Sequence, residues 1–114
     1  MFDSRLRELL QRVEGACAVS LVASDGISVQ SVVDGPGPDL EVLAGELLSQ
    51  VGRVSDLSVG KVDQFVIAAD AYTVMLGRLT DSYFLMLVLG EEGNFGRARF
   101  ELRRAPLEFE RDLV

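Results

Sequence analysis

The chain has 114 residues, of which 48% are apolar and 25% charged, with a formal net charge of −7. That length implies one small domain with a single core. The charge disfavours DNA or RNA as a partner, because phosphate-binding proteins usually carry a broad basic face. There is no histidine, which removes the commonest general base and the commonest transition-metal ligand, and the single cysteine, Cys17, can form no internal disulfide.

In chain order, Phe2, Leu6, Leu9, Leu10 and Val13 recur at helical spacing, with Asp3 or Ser4 available as a cap and Gly15 as the stop. "ACAVSLVA" is small and apolar on both faces, as a strand covered on both sides would be. Ser24-Asp25-Gly26 signals a hairpin, and "ISVQSVV" sets Ile27 and Val29 against Ser28 and Gln30, as in a half-exposed edge strand. "DGPGPD" is a loop, and Asp39 caps a long helix running to about Leu57. Three strands, "VDQFVIAA", "YTVMLGRL" and "YFLMLVL", follow as an antiparallel meander, the last buried on both faces. Asn94 caps a closing helix with core positions Phe95, Ala98, Leu102 and Ala105, which Pro106 is expected to end. The prediction is an α+β fold of order α-β-β-α-β-β-β-α, an antiparallel sheet with helices on both faces. Residues 1–114 read as a single domain, with 106–114 a short C-terminal tail of irregular structure or one further helical turn. Charged residues among the first ten and the lack of any apolar run near about 20 residues point to a cytoplasmic protein with no membrane insertion.

The stretch "GEEGNFGRARFELRR" places Gly90, Gly93 and Gly96 where a phosphate loop would sit. Its G-x-x-G-x-x-G spacing fits no standard fingerprint, no lysine follows, and Glu91 and Glu92 would repel an anion. The structural reading is that Gly90 and Gly93 make a turn and Gly96 lets the helix approach the sheet. Of the four arginines, Arg97 and Arg104 fall beside Glu101, while Arg99 and Arg103 lie on another side, so no single basic face forms. Phe100 is the only aromatic placed to stack beside them. Asp63, Asp70 and Glu91-Glu92 read as solvated carboxylates, and Cys17 as a small core residue. No catalytic, cofactor or metal site is expected.

The long helix is more informative. Leu40, Leu43, Ala44, Leu47, Val51 and Val54 share an apolar stripe, while Gly45, Gly52 and Ser55 form a small flank with Leu48 among them. Each interior glycine costs up to about 1 kcal/mol against alanine, so the flank suggests close approach of a second helix, or of a loop of the same chain.

The element order, the hairpin "LVASDGISVQ", the long helix and above all "GNFGRARFELRRA" resemble the Roadblock/dynein light chain family, in particular its prokaryotic members that regulate small Ras-like GTPases, the MglB type. The resemblance covers about Phe2 to Ala105. It implies a five-stranded antiparallel sheet with the long helix on one face and the two terminal helices on the other. It also implies a homodimer whose long helices pack antiparallel and whose third strands pair edge to edge, with Gly45, Leu48, Gly52, Ser55, Phe65 and Ile67 in the interface. The implied function is that of a non-enzymatic scaffold that binds a small Ras-like GTPase and stimulates GTP hydrolysis by reshaping the GTPase's own site. The outward arc of the helix, Val42, Glu46, Ser49 and Arg53 with Leu57 at its end, is then the expected docking face. The alternative is a small-molecule sensor of PAS or profilin-like type, which would need a cavity between the sheet and the long helix.

Overall fold

Strand β1 (Ala16–Ala23) sends Val19 and Leu21 to one side of the sheet and Ala18 and Val22 to the other, and all four are buried. The sheet around it is therefore covered on both faces. In the computed structural model, which describes residues 2–113, this sheet has five antiparallel strands. The others are β2 (Ser28–Val33), β3 (Gln64–Ala68), β4 (Thr73–Arg78) and β5 (Tyr83–Leu89), and their order across the sheet is β2-β1-β5-β4-β3. Helices α1 (Asp3–Arg12) and α3 (Phe95–Leu113) pack on one face, and α2 (Leu40–Val54) packs on the other. The fold class and element order are those the sequence implies.

The central strand β5 alternates between two cores. Leu85, Leu87 and Leu89 meet Leu6, Leu9, Leu102 and Phe109, whereas Phe84, Met86 and Val88 meet Ala44, Leu47, Leu48 and Val51. Such a strand has no polar face, which is why its sequence has no polar break.

Five local readings change. Pro106 does not end α3: the helix continues through it to Leu113, and Phe109, in the expected tail, is almost fully buried. The penalty for an interior proline is offset because Ala105 and Phe109 anchor the two sides of the break in the same core. Phe95 is largely exposed, because it is the first residue of α3 and the stripe that meets the sheet begins one turn later, at Ala98. Regular α2 stops at Val54, and one wide terminal turn, Ser55–Val59, carries Leu57; Ser58 at φ +65° and Gly60 at φ +94° then turn the chain away. In β2 the inward side is Ser28, Gln30 and Val32, so Ile27 and Val29 are exposed and Val32 is the buried valine; a register shift also interrupts the pairing with β1 between Leu21 and Val22. Finally, α1 starts from Phe2 without a side-chain cap; the Phe2 amide donates to Gln30 Oε1 at 3.1 Å, and Asp3 pairs with Arg7.

A buried carboxylate ties the two terminal helices together. Glu101 of α3 is fully buried, and Arg12 Nη1 of α1 donates to its Oε1 at 3.0 Å and to Glu108 Oε1 at 2.9 Å. Arg97 Nη2 lies 2.7 Å from Glu101 Oε2, a close charge contact without an aligned hydrogen bond. Glu108 first, and Glu101 second, hold the Arg12 guanidinium above its ordinary pKa, so Arg12 stays charged at any accessible pH.

Because Phe109 belongs to the core, Phe109→Ala is expected to cost about 3–5 kcal/mol, the usual range for emptying a buried aromatic site. Urea denaturation measures this loss; a solvated tail would give a change near zero.

Candidate functional site

The glycine loop helps hold the chain together. The amide of Gly90 donates to Gly15 O at 2.9 Å, that of Gly93 to Gly90 O at 3.0 Å and that of Asn94 to Glu14 O at 2.9 Å. Asn94 Oδ1 accepts from the Arg97 amide at 3.0 Å and caps α3. Four amides of the segment, those of Gly90, Gly93, Asn94 and Arg97, are thereby withheld from an anion, and Glu91 and Glu92 add negative charge beside the rest. A Cβ on Gly15 would lie 2.5 Å from Gly93 Cα, and one on Gly93 would lie 2.6 Å from Leu89 Cβ, so this close crossing of two connections requires glycine. Gly96 has a different role from the one expected. It lies on the exposed side of the first turn of α3, where only Asn94 Oδ1 is near, and does not mediate helix–sheet contact. The carboxylates at Asp63, Asp70, Glu91 and Glu92 form no metal-like group: among the described residues, no three His, Cys, Asp or Glu side chains converge. No helix among them is long and apolar enough to cross a membrane.

The α2 layer is different. Five strands at the usual spacing of about 4.8 Å set the outermost strand axes roughly 19 Å apart. A helix with its side chains spans about 10–12 Å. Two helices fill the opposite face, but α2 lies alone on its own. It covers β1, β5 and β4 and leaves the outer strands incompletely covered. On β3, Ile67 is 41% exposed and Phe65 half-buried, and both face the α2 side as the cross-strand partners of Val74 and Leu76. Strand β3 is also an edge, paired with β4 alone.

The residues singled out on α2 fall into three groups. Gly45 and Gly52 are exposed, and a Cβ built on either meets nothing within 4 Å, so no packing within the chain explains them. The hairpin glycine Gly26 does sit on Gly45: a Cβ there would come within 3.1 Å of Gly45 Cα, which requires a glycine at 26 but not at 45. Leu48 is buried in the chain's own core, and Ser55 is half-buried with its Oγ donating to Val51 O at 3.0 Å. Val42, Glu46, Ser49 and Arg53 are all exposed along α2, Val42 at 64%. Leu57, 71% exposed, joins them from the terminal turn.

Sequence reasoning missed Ile27 and Val59. Both are largely exposed, Ile27 beside Glu41 at the start of α2 and Val59 at the end of the terminal turn. Alternation in the sequence sets Ile27 and Val29 on the apolar side of β2, whereas the structure turns that side outward. The space between α2 and the sheet, where a sensor would hold its ligand, is filled by Ala44, Leu47, Leu48 and Val51 against Val22, Leu76 and Met86.

No family sequence model matches the chain, and no curated protein matches it by sequence. Solved structures do. MglC from Myxococcus xanthus is 30% identical over 98% of each chain, with a TM-score of 0.73. The gliding protein MglB from Thermus thermophilus is 19% identical, with a TM-score of 0.86 over 96% of this chain and 85% of its own. A Roadblock/LC7 domain from Streptomyces avermitilis is 20% identical, with a TM-score of 0.81 over 97% of this chain and 96% of its own. The chain belongs to the Roadblock/LC7 family, with an MglB-like fold.

The packing of Gly26 on α2 gives a direct check. Gly26→Ala puts a side chain at φ +91° and against the Gly45 backbone, and is expected to cost about 1–3 kcal/mol. Thermal melting of the variant measures this; an unchanged midpoint would mean that the hairpin does not press on the helix as described.

Proposed function

We propose that this protein is a non-enzymatic, homodimeric regulatory scaffold that binds a small Ras-like GTPase and stimulates its GTP hydrolysis. The observation that carries the reading is the small flank of α2. Two exposed interior glycines each weaken the helix by up to about 1 kcal/mol and fill no space in their own chain. A second α2 running antiparallel would use that flank for close approach and would cover the open part of its layer. Pairing of two β3 edges would at the same time satisfy an edge that exposes Val66 and Ile67.

With the apolar stripe on the sheet and the glycine flank on the twin helix, the outward arc remains free. It carries Val42, Glu46, Ser49 and Arg53, with Leu57 beyond. Arg53 has no carboxylate within ion-pair distance among the described residues. Two-fold symmetry doubles the arc into an apolar patch with a charged rim, the usual anatomy of a protein-docking surface. The GTPase supplies its own catalytic groups, and the scaffold acts by holding them in the productive arrangement; no arginine is assigned as a finger.

Gly52→Leu is expected to convert the dimer to a folded monomer, because the new side chain enters the helix–helix contact and nothing else; analytical ultracentrifugation together with circular dichroism reads both outcomes. Val42→Asp and Arg53→Glu are each expected to weaken binding of the cognate GTPase by roughly tenfold or more while leaving the dimer and its melting temperature nearly unchanged. Pull-down of a GTPase from the source cells, followed by GTP-hydrolysis assays with wild type and both variants, tests this reading. Wild-type binding by both variants would place the docking face elsewhere.

A further inference from the structure

On the face opposite α2, a groove of about 580 Å³ runs between α3 and the β3–β4 side of the sheet. Two arginines of α3, Arg99 and Arg103, line it against one carboxylate, Asp63, with Leu102 and Pro106 as an apolar floor; Arg78 borders it, but its guanidinium is turned to the α2 face. Two cations on one groove stand out in a chain of net charge −7. The other two arginines in the first half of α3 are occupied: Arg97 and Arg104 contact Glu101, and both lie over the Phe100 ring at 5.5 Å. Arg99 and Arg103 are exposed and have no ion-pair partner among the described residues. Arg78 adds no charge to the groove: on the α2 side its Nε donates to Val62 O at 3.1 Å, its guanidinium lies 4.6 Å above the Phe84 ring, and it contacts Asp81 at 3.8 Å. The groove therefore has two uncompensated cations on its rim.

We propose that this groove binds an acidic helical segment of a partner protein. Arg99 and Arg103 are one helical turn apart, about 6 Å along the axis, so two carboxylates at i and i+4 of a facing helix match them. An aliphatic residue between those carboxylates would face Leu102 and Pro106. Several features favour a protein segment over other anions. No aromatic side chain lines the groove to stack on a base, and Asp63 together with the net charge repels a phosphate polymer. The cations are spread along the helix axis and do not converge on one point, which suits spaced carboxylates better than a single phosphate. The site is independent of the α2 docking face and lies on the other side of the sheet.

The test uses the full chain, labelled with ¹⁵N, at low ionic strength. The probe is a capped peptide with two glutamates four residues apart and a leucine between them. Saturable shifts at Gln64, Leu79, Arg99 and Arg103 are expected, weakening about tenfold or more in Arg99→Glu/Arg103→Glu, whose melting temperature stays at the wild-type value, and unchanged in Arg111→Glu. Sodium phosphate and a single-stranded oligonucleotide serve as competitors. The proposal is overturned if the peptide gives no saturable shift, if Arg111→Glu weakens binding as much as the double variant, or if phosphate or the oligonucleotide occupies the groove more tightly than the peptide.

Discussion

The unequal covering of the two sheet faces is the constraint from which the rest follows. On one side α1 and α3 close over the sheet, and their contact is reinforced by the Arg12–Glu101–Glu108 cluster. On the other side one helix does the work that two do opposite. A sheet apolar on both faces and five strands wide loses free energy wherever either face stays wet, at roughly 25 cal/mol per Å² of apolar surface. The α2 layer is the half of the domain that the proposed second copy would complete, and both the assembly and the docking surface proposed here derive from that deficit.

The glycines divide along the same line. Gly15, Gly26 and Gly93 are needed inside the chain, where backbones cross too closely for a Cβ. Gly45 and Gly52 are not, since each faces open space from the middle of a helix. A residue that weakens its own helix and serves no neighbour in its own chain points to a neighbour in another. The buried Glu101 has the opposite role. Replacing one partner of such a cluster strands the remaining charges, so the cluster fixes how α1 and α3 dock more than it adds net stability.

Much of this was legible from the residues alone. Apolar runs with no polar break located β1 and β5, the spacing of Leu47, Ala44 and Val51 set the buried face of α2, and the charges beside Glu101 separated the two pairs of arginines on α3. The failures have physical causes. Pro106 argued for a helix end, but burial of Phe109 outweighs a local proline penalty, and tertiary contacts cannot be read from a local rule. Ile27 and Val29 turn outward with Ser31 and Val33, because β2 is an edge strand whose alternating pattern does not say which side meets the core. On the candidate site, the helical wheel placed Val42, Glu46, Ser49 and Arg53 on the surface. It left Leu48 at a margin that the structure resolves as core, because the hairpin at Gly26 closes over it.

The central claim is that the α2 layer and the β3 edge are completed by a second copy of the chain. Hydrogen–deuterium exchange of the Gln64–Ala68 amides, followed across a dilution series, addresses it at the residues concerned. The account predicts slow exchange of the outward-facing β3 amides at high protein concentration and fast exchange on dilution, while the β1 and β5 amides stay protected throughout. Fast exchange along the outer edge of β3 at every concentration would contradict it.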